Sequence, residues 1–193
     1  MASTPNFAWP TPDDTDPVAD GALDIRTLAN AIDSQVFASG LVLVKRQTVG
    51  SGVTSVTVTD AFSSLYDNYL IVDSGGTSSV DGPYRLTFGA SATLYYWAFI
   101  YASFLGGAVN LDAGNAGSYW NYAGGSATRN GLIEVNNPFL ATNTEIRSRV
   151  RYSTVYGNNV GIHGVSSSFT SFTLTAASGT MTGGTIRVYG YRK

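Results

Sequence analysis

The chain has 193 residues, of which 44% are apolar and only 12% charged, with a net charge of −2; this excludes a disordered chain and a strongly basic nucleic-acid binder. It contains no cysteine, which excludes disulfides, thiolate metal sites and a cysteine nucleophile together. Its 22 glycines, 12 tyrosines and 9 phenylalanines suit short strands and tight turns better than helices. The amino terminus, MASTPNFAWP, has neither the basic nor the apolar region of a secretory signal. No window reaches the roughly 20 apolar residues that span a bilayer, so the expectation is a protein made in a cytoplasm without membrane insertion.

Charge divides along the chain. Residues 1–44 carry six aspartates and one arginine, whereas residues 45–193 carry ten Lys/Arg against seven Asp/Glu. Four of the six prolines fall in residues 1–20, which predicts a stiff, extended leader that does not join a sheet. Phe7, Trp9 and Val18 are apolar residues that such a leader cannot bury alone, so they read as pegs for another surface. Residues 21–39 then read as a short helix, with Asp20 as N-cap and Asp24 in the first turn, where the helix dipole favours an anion. Ile25, Leu28, Ile32 and Val36 form one apolar stripe, and Gly40 marks the stop. A helix of this length is marginal alone in water, so the stripe needs the body, copies of itself or a larger assembly to rest on.

From residue 41 the period changes to two. Ten runs follow: LVLVKRQ, GVTSVTVT, NYLIVDS, YRLTFG, YYWAFIYAS, NGLIEVNN, IRSRVRYS, NVGIHGVS, SFTLTAAS and GGTIRVYGYR. All are rich in β-branched and aromatic residues and are separated by glycine- and asparagine-containing turns. With no helix between them, residues 40–193 read as an antiparallel β-sandwich of jelly-roll type. The longest irregular piece is residues 106–129, and a loop of that length points to function or mobility.

The sequence offers no catalytic residue, metal site or cofactor motif. His163 is the lone histidine and lacks ligand partners, so it reads as a packed strand residue. The aspartates of DDTDPVADG match a calcium loop in spacing alone, since the twelfth position, which needs a bidentate acid, is Ile25. Glu134 and Glu145 are the two glutamates; a glycosidase would need them about 5 to 10 Å apart, and the simpler reading is solvated strand carboxylates. Arg147, Arg149 and Arg151 alternate along one strand and share a face. They either pair with acids such as Asp67, Asp73 or Asp81, or form an anion-binding strip for surface polysaccharide. Tyr119, Trp120 and Tyr122, in GSYWNYAGG, suit either stacking on sugar rings or filling a subunit interface.

Two parts of the chain resemble tailed-bacteriophage tail fibre and minor tail proteins. The leader carries Ala8-Trp9-Pro10, then Asp16-Pro17-Val18-Ala19-Asp20, then Ala31-Ile32-Asp33 at the end of the short helix, in the order found in the amino-terminal segments of that family. The body is similar to a carboxy-terminal domain of such proteins through GLVLVKRQTVGSGVTSVTVTDAFSSLYDNYLIV and FTLTAASGTMTGGTIRVYGYRK, while residues 75–165 carry little of the likeness. The resemblance implies a non-enzymatic virion component, commonly a homotrimer. Phe7, Trp9, Pro10, Asp16 and Val18 would anchor it to other virion proteins, residues 1–39 being the docking segment, and the β-domain would face a host-surface glycan. A capsid decoration or head-fibre protein shares this design. A stand-alone carbohydrate-binding module would need only the β-domain.

Overall fold

A computed structural model describes residues 2–5, 8–11, 15, 17–38 and 40–193, with residues 2 and 36–38 described for their backbone only. The chain divides into two units, Met1–Gly40 and Leu41–Lys193.

In the first unit, β1 (Ala2–Ser3) pairs antiparallel with β2 (Pro10–Thr11). The leader therefore does join a sheet, contrary to the expectation from its prolines, although a minimal one. Pro10 sits at an edge where its missing N–H costs no ladder bond, and its fixed φ is compatible with extended backbone. Thr4 closes the hairpin: the Trp9 amide donates to its hydroxyl at 3.0 Å and its own amide donates to the Trp9 carbonyl at 2.9 Å. Asp20 does not stand outside the helix as a cap; it lies in a 3-10 turn, Val18–Asp20, that runs directly into α1 (Gly21–Ala38). Asp24, in the first turn of α1, is buried.

The second unit holds β3 (Leu41–Thr48), β4 (Ser55–Val58), β5 (Asn68–Ser78), β6 (Tyr84–Phe88), β7 (Tyr95–Ser103), β8 (Asn110–Gly117), β9 (Thr128–Asn136), β10 (Thr144–Tyr152), β11 (Val155–His163), β12 (Phe172–Ala176) and β13 (Met181–Tyr191). Each of the ten runs read from alternation is a strand. The eleventh, β8, lies in the segment expected to be irregular, where Asn-, Gly- and Ala-rich composition hides it. The strands form an antiparallel β-sandwich of jelly-roll type. One sheet has the order β3-β13-β5-β9-β10-β11-β7-β8 and the other β4-β12-β6. From β3 to β7 consecutive strands alternate between the sheets, so the chain crosses the core repeatedly instead of folding as separate hairpins.

The inner faces meet in an apolar core. The large sheet supplies Tyr69, Ile71, Ile133, Val135, Ile186 and Val188, and the small sheet Val56, Val58, Leu86, Phe88, Phe172 and Leu174. Phe62 wedges between them, with ring centroids 4.9 Å from Tyr69 and 5.7 Å from Phe172. Tyr69 buries its ring and satisfies its hydroxyl, which accepts from the Ser63 amide at 2.8 Å and donates to the Ser63 carbonyl at 2.9 Å. His163 is fully buried, stacked on Tyr95 with centroids 4.2 Å apart and bonded through Nε2 to the Ser91 hydroxyl at 2.8 Å. Burial pushes its imidazole pKa down, which keeps it neutral in the core.

One ion pair is buried in this core. Arg129 on β9 bonds both oxygens of Asp73 on β5 and also donates to the Gly183 carbonyl on β13, so a single guanidinium ties three adjacent strands. It does so beside glycines of β5 and β13 that pack backbone against backbone. A Cβ on Gly76 would strike the Gly183 carbonyl, and Gly184, at φ +82°, lies against the Gly76 backbone. Burial raises the Asp73 carboxyl above its usual range, and the bonds and charge of Arg129 pull it back. Because removing one partner strands a buried charge, Arg129→Met should lower the stability of the full chain by about 3–5 kcal/mol. Replacing Asp73 by Leu as well should recover much of that loss; denaturant unfolding measures both.

Candidate functional site

Composition leaves Tyr119, Trp120 and Tyr122, between β8 and β9, either to stack on sugar rings or to fill a subunit interface. Trp120 and Tyr122 do neither: Trp120 is 0% exposed and Tyr122 is buried within the domain. The backbone decides this. The Leu86 amide donates to the Trp120 carbonyl at 2.8 Å and the Trp120 amide returns a bond to the Leu86 carbonyl at 2.9 Å. The Ala123 amide then donates to the Tyr84 carbonyl at 2.8 Å, so the segment runs along the free edge of β6. Gly161 of β11 leaves the space that the indole fills, since a Cβ there would strike the Trp120 ring nitrogen. Two polar residues on the inner face of the large sheet secure the same segment: the Ser148 hydroxyl donates to the Tyr122 carbonyl and the Asn159 amide to the Asn121 carbonyl, both at 2.6 Å.

Tyr122 continues into a smaller aromatic cluster. Its ring stacks on Phe99, with centroids 4.2 Å apart, and its hydroxyl donates to Asp112 at 2.6 Å. Burial, with the Asp112 carboxylate beside it, pushes the phenol pKa well up. Tyr119 is half-buried, and Arg85 lies over its ring at 4.2 Å. Trp120 and Tyr122 are therefore committed inside the domain, and Tyr119 is held at its surface under Arg85.

The arginine strip, by contrast, lies on open surface. Along β10 the odd positions Arg147, Arg149 and Arg151 are exposed and the even positions Ile146, Ser148 and Val150 are buried. The acids expected to pair with them are used elsewhere. Asp73 holds Arg129, Asp67 meets Lys193 at 2.8 Å, and Asp81 accepts from the Ala127 amide at 3.1 Å. Among the described residues, no ion pair or hydrogen bond engages any of the three guanidinium groups.

The strands beside β10 give each arginine a different neighbour. Arg147 stands opposite Glu134 on one side and Val160 on the other. Arg149 lies between Leu132 and Asn158, and Arg151 is opposite Tyr156. A shallow depression of about 190 Å³ is lined by Leu132, Glu134, Arg147, Arg149, Asn158 and Val160. A second, of about 420 Å³, shares Leu132 and Arg149 and adds Phe104, Asn130, Arg151 and Tyr156. The two adjoin as one groove across β9, β10 and β11, whose lining includes the rings of Phe104 and Tyr156, with centroids 6.0 Å apart. Tyr156, Asn158 and Phe104 are not singled out by the sequence. Alternation in VYGNNVGIH puts Tyr156 and Asn158 on one face, but their neighbours follow only from the β10–β11 register.

Glu134 and Glu145 share this outer face at diagonal positions, Glu145 opposite Asn136 and Glu134 opposite Arg147. Both are exposed on an open sheet, without the enclosure that acid catalysis at a glycosidic bond uses. In the leader, Trp9 and Pro10 are half-buried and Val18 is 98% exposed, while Phe7 and Asp16 lie outside the described residues, as do Asp13 and Asp14 of the calcium-like spacing. On α1, Ile25 is 65% exposed and Leu28 and Ile32 are half-buried; the side chain of Val36 lies outside the described residues. Among the described residues no helix is long and apolar enough to cross a membrane.

No family model and no curated protein matches the chain. Among solved structures it is similar to the galectin LEC-6 of Caenorhabditis elegans, at 12% identity over 73% of this chain and 94% of that one, with a TM-score of 0.34. A likeness of that size carries nothing about ligands.

If Trp120 is core, Trp120→Ala should cost about 3–5 kcal/mol of stability, as loss of a fully buried indole does. A thermal or denaturant unfolding curve decides it: an unchanged curve would return the residue to the surface.

Proposed function

We propose that this chain is a structural virion protein of a tailed phage, a tail fibre or receptor-binding protein that is held by its amino-terminal residues and displays the β-sandwich to the host surface. One observation carries the reading. A single chain joins a proline- and aspartate-rich amino-terminal unit to a separate, charge-poor sandwich whose outer face bears a row of guanidinium groups without internal partners. The order of leader, short helix and aromatic β-domain resembles phage tail proteins. The same design serves a capsid decoration or head-fibre protein, and the location of the chain in a particle separates the two. The reading assigns no catalytic role to Glu134 or Glu145. With Trp120 and Tyr122 buried, the groove along β10 takes the place of their segment as the host-facing surface.

Trp9, Pro10 and Val18, with Phe7 and Asp16, form the anchor in this reading, and a homotrimer is its assembly. Support for self-association comes from apolar side chains left exposed on the outer face of the large sheet. Ile100 on β7 stands opposite Leu111 on β8, and both are exposed. In a domain with so few charges, such a face favours burial against another copy.

Deleting residues 1–20 should leave the β-domain folded by circular dichroism and abolish incorporation into particles. Normal incorporation of the truncated chain would overturn the anchor. Light scattering of the full chain should give the mass of a trimer, and Leu111→Asp should reduce it towards that of one chain. A monomeric unmodified chain would remove the trimer from the reading.

A further inference from the structure

We infer that the groove across β9, β10 and β11 binds an acidic polysaccharide, with Arg149 and Arg151 on the acid groups and Tyr156 and Phe104 against the sugar rings. This rests on the host-attachment reading above and names the chemistry of its ligand.

Unmet charge is the first support. The body contains five aspartates, and each already has a partner: Asp60 with Lys45, Asp67 with Lys193, Asp73 with Arg129, Asp81 with the Ala127 amide and Asp112 with Tyr122. None is available to the strip. Three like charges on successive same-face positions, about 6.8 Å apart, repel one another. Glu134, opposite Arg147, and Glu145, two residues before it on the same face, offset one of them; Arg149 and Arg151 face Leu132, Asn158 and Tyr156, none of which is an anion. A ligand that brings acid groups at repeated intervals along the strand relieves this. Arginine suits the task, because its planar fork bonds a carboxylate through two parallel N–H groups.

The rest of the lining selects sugar over other polyanions. Tyr156 and Phe104 offer aromatic faces and Leu132 and Val160 apolar floor to the C–H faces of pyranose rings, while Asn130 and Asn158 offer amides to hydroxyls. Glu134 opposes a phosphate backbone and accepts from a sugar hydroxyl. Nucleic acid also needs a denser basic surface than a body with ten basic and seven acidic residues provides. A neutral glycan would leave Arg149 and Arg151 unmatched.

The test uses the full chain, with polygalacturonate, dextran and single-stranded DNA as probes, in calorimetric titrations at low and moderate salt. Polygalacturonate should bind, more weakly as salt rises, and dextran should not. The double variant Arg149→Gln with Arg151→Gln should weaken that binding by at least about tenfold, the size expected for loss of one charge-assisted hydrogen bond. Tyr156→Ala should also weaken it, and Arg46→Gln, an exposed arginine on β3, should not. Unchanged melting curves for these surface variants separate lost binding from lost folding. Equal binding of dextran, tighter binding of DNA, or binding indifferent to the double variant would each overturn the ligand class. Particle incorporation reports separately on the virion reading: a chain that enters particles but ignores polygalacturonate keeps that reading and loses this ligand. The opposite result keeps the ligand and loses the virion.

Discussion

A sheet of three strands cannot cover a sheet of eight, and much of this molecule follows from how the shortfall is made up. The small sheet β4-β12-β6 buries the aromatic centre around Phe62, Phe88 and Phe172. Beyond it, the inner face of the large sheet around Phe99 and Val150 is covered by chain, not by strands. The segment carrying Trp120 and Tyr122 does this work. It bonds to β6 as a short edge ladder, drops the indole onto Gly161, and is secured by Ser148 and Asn159 reaching from the sheet. Buried polar side chains on a sheet face are costly unless matched, and these two match backbone carbonyls that a covering loop leaves open.

The same division sets the character of the outer face. With most aromatic residues covering the inner face, the outer face of β9, β10 and β11 carries a mixture of guanidinium groups, amides, the carboxylates of Glu134 and Glu145, the ring of Tyr156 and scattered apolar side chains. Its charges are not balanced within the domain, because the aspartates are tied into structural roles. The most demanding of these is Asp73, which with Arg129 fastens β5, β9 and β13 beside glycines of β5 and β13 that pack backbone against backbone. Such a pair contributes little to net stability relative to apolar residues of the same shape, but it is severe on any change that removes one partner. Structural demand inside the sandwich thus leaves Arg149 and Arg151 without an acid from the domain's aspartates.

Alternation in the sequence was enough to identify ten of the strands of the β-domain and the change from a helical to a two-residue period near residue 41. The side-chain period of a strand is local: Ile146, Ser148 and Val150 had to face away from Arg147, Arg149 and Arg151 whatever the strand paired with. The reading of His163 as a packed strand residue agrees with its burial against Tyr95. These inferences concern a residue and its near neighbours in the chain, and hold in any fold that keeps the segment extended.

What tertiary structure alone decided were the partnerships between distant segments. Strand β8 has weak intrinsic preference and is a strand because β7 pairs with it. Trp120 and Tyr122 have the composition of a sugar-stacking loop and the burial of a core, and composition cannot distinguish the two. The distinction comes from Leu86 and Gly161, some 34 and 41 positions away in the chain, which supply the hydrogen bonds and the space. The assignment of Asp73 to Arg129, and not to the β10 strip, likewise depends on strand order, which brings β5 beside β9. A carboxylate pairs with the cation that the sheet puts within reach, and reach across a sheet is set by register, which no single segment encodes.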